Sequence, residues 1–116
     1  MKESIIKKKS FEFALRIIKL YKYLVEFKKE FVMSKQLLRS GTAIGALVRE
    51  AEHAESRADF IHKMSMALKE SNESEYWLEL LHKSDFIDQS EYDSLNLDSK
   101  EILKILISIV KTTKNS

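Results

Sequence analysis

A chain of 116 residues with no proline and only two glycines lacks the backbone punctuation that hairpins and multistranded folds require. Lysine, glutamate, leucine, isoleucine and serine dominate instead, and that composition predicts an all-α protein. Both glycines, Gly41 and Gly45, fall four residues apart within RSGTAIGALVREAEHA, which spans positions 39–54. A phosphate-cradling loop would need a strand before it and a Gly-Lys-Ser/Thr or G-x-G-x-x-G pattern, and neither is present. The glycines are therefore expected to be helical and to serve close packing.

Four helical patterns occupy one domain over residues 1–116, at about 10–30, 34–54, 57–83 and 90–114. In the first, Ala14, Ile18, Tyr21 and Val25 keep helical spacing, with a second ridge of Phe13, Ile17, Leu20, Leu24 and Phe27 beside it. The two ridges give an apolar arc of roughly 200°, about twice what one core-facing side needs. Ser34 is the expected N-cap of the second helix, whose stripe is Leu37, Gly41, Ile44, Val48 and Ala51. Ser56-Arg-Ala-Asp59 has capping-box form and opens the third, with the stripe Phe60, Met64, Ala67, Ser71 and Leu78. The fourth begins at Ser90 or at Asp98 and presents Ile102, Ile105, Leu106, Ile109 and Val110, widened by Leu103 and Ile107.

Short connections between long helices predict an antiparallel, up-down four-helix bundle. A turn near Ser56 would set Gly45 opposite about Ala67 and Gly41 opposite about Ser71. Small residues would then face small residues across helices 2 and 3, offsetting the roughly 1 kcal/mol that each helical glycine costs.

Catalytic chemistry finds little support. Without cysteine there is neither a disulfide framework nor a thiolate metal site. Glu50-Ala-Glu-His53 and Glu79-Leu-Leu-His82 match the Glu-x-x-His of di-metal carboxylate bundles, but antiparallel packing separates the two histidines by roughly 30 Å. No nucleophile-elbow signature accompanies the serines. The expectation is a protein that is not an enzyme and has no metal or cofactor. Glu75 falls near an apolar stripe and is expected to make a structural hydrogen bond or ion pair across the bundle, with a functional acid as the alternative. MKESIIKKKS has a charged start without an apolar stretch behind it, and Lys104 breaks the most apolar run, so a soluble cytoplasmic location with no membrane contact is expected.

A net charge of +2 is far from that of a dedicated nucleic-acid binder, so such a role must rest on where the charges lie or on repetition in an oligomer. Lys7, Lys8, Lys9, Arg16, Lys19 and Lys22 concentrate at the amino end and are the candidate phosphate contacts. Helices 1 and 4 carry apolar surface to spare, and Met66, Glu70, Glu73, Trp77 and Leu80 form a ridge largely away from the main stripe of helix 3. That ridge is the candidate subunit interface. A symmetric ring would repeat each basic patch around its surface.

The segments at 36–51 (QLLRSGTAIGALVREA), 56–63 (SRADFIHK) and 67–78 (ALKESNESEYWL) resemble the bacterial four-helix bundle family first noticed as reading frames in intervening sequences of 23S rRNA genes. The same fold includes the accessory variability determinant of diversity-generating retroelements. The resemblance extends from Phe11 to Lys114, and it implies a ring-like homo-oligomer, a homopentamer, as the assembly. For the retroelement branch it also implies an RNA- or DNA-binding adaptor. The competing expectation is a protein-interaction scaffold that binds a protein partner and no nucleic acid.

Overall fold

The computed structural model describes the backbone of residues 2–116 and side chains from Ile5 onward. Four helices follow one another, α1 (Lys2–Glu26), α2 (Met33–Glu52), α3 (Arg57–Lys83) and α4 (Gln89–Lys114), with no strand among the described residues. Each helix packs on its chain neighbours, and α1 closes the square against α4. Cross-links show every neighbouring pair running antiparallel. Lys7 reaches Glu52, Ser74 reaches Ser40, Glu75 reaches Lys100, and Arg16 reaches Asp98. The result is an up-down bundle 46 Å long and about 20 Å across.

The core is a continuous apolar cluster drawn from all four helices. Ile6, Phe13, Ile17, Leu20 and Leu24 come from α1, Leu37, Ile44 and Val48 from α2, Met64, Leu78 and Leu81 from α3, and Leu95, Ile102 and Leu106 from α4. On α1 it is the second ridge that is buried, whereas Ala14, Ile18, Tyr21 and Val25 are only half-buried and Phe27 is exposed. The helix also starts earlier than position 10, because Ile6 and Ser10, both fully buried, extend that ridge toward the amino end in the same 4-3-4 spacing.

α1 ends at Glu26 rather than at 30. Lys29 adopts a left-handed φ of 54°, and the Glu30 N–H returns to the Leu24 carbonyl at 3.0 Å, closing the last turn of the helix. Glu30 is then free to serve the next helix. Its carboxylate accepts from the backbone N–H groups of Val32 (2.8 Å), Met33 (2.9 Å) and Ser34 (2.7 Å). Ser34 is therefore not the cap; its hydroxyl donates to the Glu30 carbonyl instead. Burial pushes the Glu30 carboxyl up, but the donors from Ser34, Val32 and Met33 outweigh it and hold the group below its ordinary value.

α3 is capped by the Ser56 hydroxyl, which accepts from Asp59 N–H at 3.0 Å, while the Asp59 carboxylate accepts from Glu55 N–H. α4 starts at neither expected cap: the Asp88 carboxylate accepts from Glu91 N–H at 2.8 Å.

Both glycines are inside α2 and neither has positive φ. Their partner is α1, not α3. A Cβ placed on Gly41 would sit 3.0 Å from Ile17 Cγ1 and Cγ2, and one on Gly45 would sit 3.5 Å from the Ser10 carbonyl oxygen and hydroxyl. Ala67 and Ser71 are buried, but the small-residue contact between α2 and α3 is made by Ser40 and Ser74, whose hydroxyls are 2.9 Å apart.

Candidate nucleic-acid interface

α1 carries seven Lys or Arg against three Glu, whereas α4 balances four against four, so the cationic surplus of the chain resides on α1. The six candidate phosphate contacts do not form one patch. Lys7 pairs with Glu52 on α2 at 3.2 Å. On the opposite flank Lys9 pairs with Glu101, and Arg16 pairs with Asp98 at 2.6 Å while donating to Ser94 Oγ at 2.8 Å. The hydrogen bond to Glu101 raises the Lys9 pKa. These three cations clamp α1 to its neighbours.

Lys8, Lys19 and Lys22 are exposed, and no carboxylate among the described residues lies within ion-pair distance of them. At about 100° per residue they fall within an arc of roughly 60° on the outward side of α1, spread over about 21 Å of its length. Phe11 and Leu15 stand in the same sector, 49% and 52% exposed. The Arg49 guanidinium of α2 lies 5.3 Å from the Phe11 ring centroid. Lys7, Lys8, Phe11, Leu15 and Arg49, together with Glu12 and Glu52, line a groove of about 520 Å³. Arg49 carries no distinguishing signal in the sequence, because its contact with Phe11 depends on the rotation of α2 against α1.

The ridge on α3 is tied to its own chain. Arg39 on α2 donates to Glu70 at 3.2 Å and pairs with Glu73, and the Trp77 indole N–H donates to Glu73 at 3.0 Å. Those two bonds, Trp77 first, hold the Glu73 carboxyl below its ordinary value. Tyr76 packs edge-on to Trp77, with ring centroids 5.0 Å apart. Met66 is exposed, whereas Trp77 is half-buried against the core and Leu80 is half-buried. Arg39, which organises this cluster, carries no signal in the sequence beyond lying on the outer side of α2.

Glu75 forms the ion pair with Lys100 across α3 and α4 at 2.7 Å. His53 is the exposed C-cap of α2, and His82 stacks on Tyr92 with ring centroids 4.3 Å apart near the far end of α3. No group of three or more His, Asp or Glu among the described residues is placed to hold a metal ion. No described helix is long and apolar enough to cross a membrane.

Residues 2–108 match the family model of the 23S rRNA-intervening sequence protein. The fold is similar to a solved protein of unknown function from the S23 ribosomal protein family of Bacteroides thetaiotaomicron, at 63% identity and a TM-score of 0.94. The match covers 96% of this chain and 99% of that one. A search of proteins with curated descriptions found no match. With the family model and the fold in agreement over nearly its whole length, the chain belongs to the 23S rRNA-intervening sequence protein family.

Proposed function

We propose that this protein is a non-enzymatic helical adaptor that assembles as a homo-oligomeric ring, of the five-subunit kind, and binds RNA or DNA through the outer face of α1. The observation that carries the reading is the set of three exposed lysines, Lys8, Lys19 and Lys22, on one side of one helix and without an ion-pair partner among the described residues. A spread of about 21 Å is enough to meet several phosphates of one strand. Lys7, Lys9 and Arg16 flank them in exposed ion pairs, each worth roughly 0 to 1 kcal/mol, so a phosphate can replace a carboxylate at little cost. A ring repeats the stripe once per subunit and multiplies a field that a single +2 chain lacks.

The test is fluorescence anisotropy with labelled RNA and DNA at 50 and 200 mM salt. Three phosphate contacts give a log–log slope of about −2 on a single strand, a fall of roughly 20-fold over that range. Flat salt dependence, or no binding at the lower salt, would overturn the proposal.

The exposed apolar residues Ile5, Phe11, Leu15 and Tyr23 on α1 favour a second reading, a scaffold that docks another protein. It requires a specific partner to survive nuclease treatment in a pull-down, and function to survive charge reversal of the three lysines.

A further inference from the structure

The groove beside the lysine stripe has a composition that phosphate binding alone does not explain. Its floor is the half-exposed Phe11 ring with Leu15 one turn further on, and its rim carries the three cations Lys7, Lys8 and Arg49 against the two carboxylates Glu12 and Glu52. Arg49 holds the Phe11 ring from α2 by a cation–π contact, so the aromatic surface is fixed before any ligand arrives. The Glu52 charge is met by Lys7 at 3.2 Å, which leaves Lys8 and Arg49 against the exposed Glu12 and a net positive rim. Lys8 and Arg49 have no carboxylate partner among the described residues. An aromatic or guanidinium plane set among cations is the arrangement on which unpaired bases stack while their phosphates meet lysines. A duplex hides its base faces and offers such a groove nothing. The volume of about 520 Å³ falls within the roughly 300–1,000 Å³ of small-molecule sites.

We infer that the Phe11/Arg49 groove takes an unpaired nucleobase, which makes the ligand of the α1 face single-stranded nucleic acid rather than duplex. This rests on the reading of that face as a nucleic-acid interface. Lys8 at the rim and Lys19 and Lys22 further along α1 then carry the phosphates of the same strand.

Three labelled probes of equal length separate the two levels: a U12 RNA, the same backbone without bases, and a 12-base-pair duplex. The wild-type protein is expected to bind U12 about 5- to 150-fold more tightly than the abasic strand, the range for one stacked base. Phe11→Leu should erase that advantage, Phe11→Trp should keep it, and Lys19→Glu with Lys22→Glu should weaken all three probes. Equal binding of U12 and the abasic strand, or unchanged U12 binding by Phe11→Leu, would overturn the base pocket and leave the phosphate face standing. Binding of no probe at low salt would remove both. A fall in solution mass for Phe11→Leu would show that another subunit covers the ring, which also overturns the pocket.

Discussion

Gly41 and Gly45 lie one turn apart in α2, yet the same substitution should stabilise the protein at Gly45 and fail to do so at Gly41. Gly→Ala in a helix interior gains about 1 kcal/mol from propensity alone. At Gly45 the new methyl meets Ser10 at 3.5 Å, ordinary van der Waals contact, so the gain should be kept. At Gly41 it meets Ile17 Cγ1 and Cγ2 at 3.0 Å and Ile17 Cβ at 3.3 Å. Ile17 is fully buried, and its Cβ is fixed to the α1 backbone, so no rotamer change clears the contact. Overpacking of this kind costs about 1–3 kcal/mol, which turns the gain into a net change between zero and a loss of about 2. The expected difference between the two variants is the overpacking alone, about 1–3 kcal/mol, or roughly 4–12 °C in Tm for a domain of this size. Urea unfolding followed by far-UV circular dichroism reads it, at one fixed protein concentration because assembly would shift the apparent stability. Gly41→Ala as stable as Gly45→Ala would refute the close approach of α1 and α2.

Glu30→Gln should cost about 1–2 kcal/mol at neutral pH by weakening the cap of α2. Because the folded Glu30 value lies below the ordinary 4.5, its contribution is complete above that pH and is lost as pH falls through the depressed value. The variant should accordingly lose less stability than wild type on acidification below 4.5, as measured by denaturation at stepped pH. Lys29→Gly should stabilise by up to about 1 kcal/mol, since glycine takes the left-handed conformation at φ 54° without strain, and thermal melts check it. Ser71→Ala removes a buried hydroxyl that has no hydrogen-bond partner among the described residues, so it should be neutral or stabilising by up to about 1 kcal/mol. Ser74→Ala, which breaks the bond to Ser40, should instead destabilise by about 1 kcal/mol in the same urea assay.

The helical class and the stripes of α2, α3 and α4 were legible because Leu, Ile and Met recur there at helical spacing: Leu37, Ile44, Met64, Leu78, Ile102 and Leu106 are all buried. The beginning of α1 was not, because the buried ridge passes through Ser10, a polar residue that hides Ile6 behind a charged lead. The break after Glu26 was equally hidden. It is made by a lysine in a conformation that usually selects glycine, and the cap that follows comes from Glu30, two residues before the N-cap position held by Val32. The glycines belong to the expected helix but face a different neighbour, since spacing gives the register of a hairpin and not the rotation of its helices. The same limit applies to the surface. Which of six basic residues are engaged by Glu52, Asp98 and Glu101, and that Arg39 gathers Glu70 and Glu73, follow only from helices coming together.

The proposed role of the α1 face requires Lys8, Lys19 and Lys22 to hold phosphate. Its most direct test is the salt dependence of single-stranded RNA affinity for the wild type and for the variant with all three changed to glutamine. Removal of one lysine–phosphate pair should flatten the log–log slope by about 0.7, so the triple variant should bind more weakly with a slope smaller by about 2. An unchanged slope and affinity would contradict the assignment of this face.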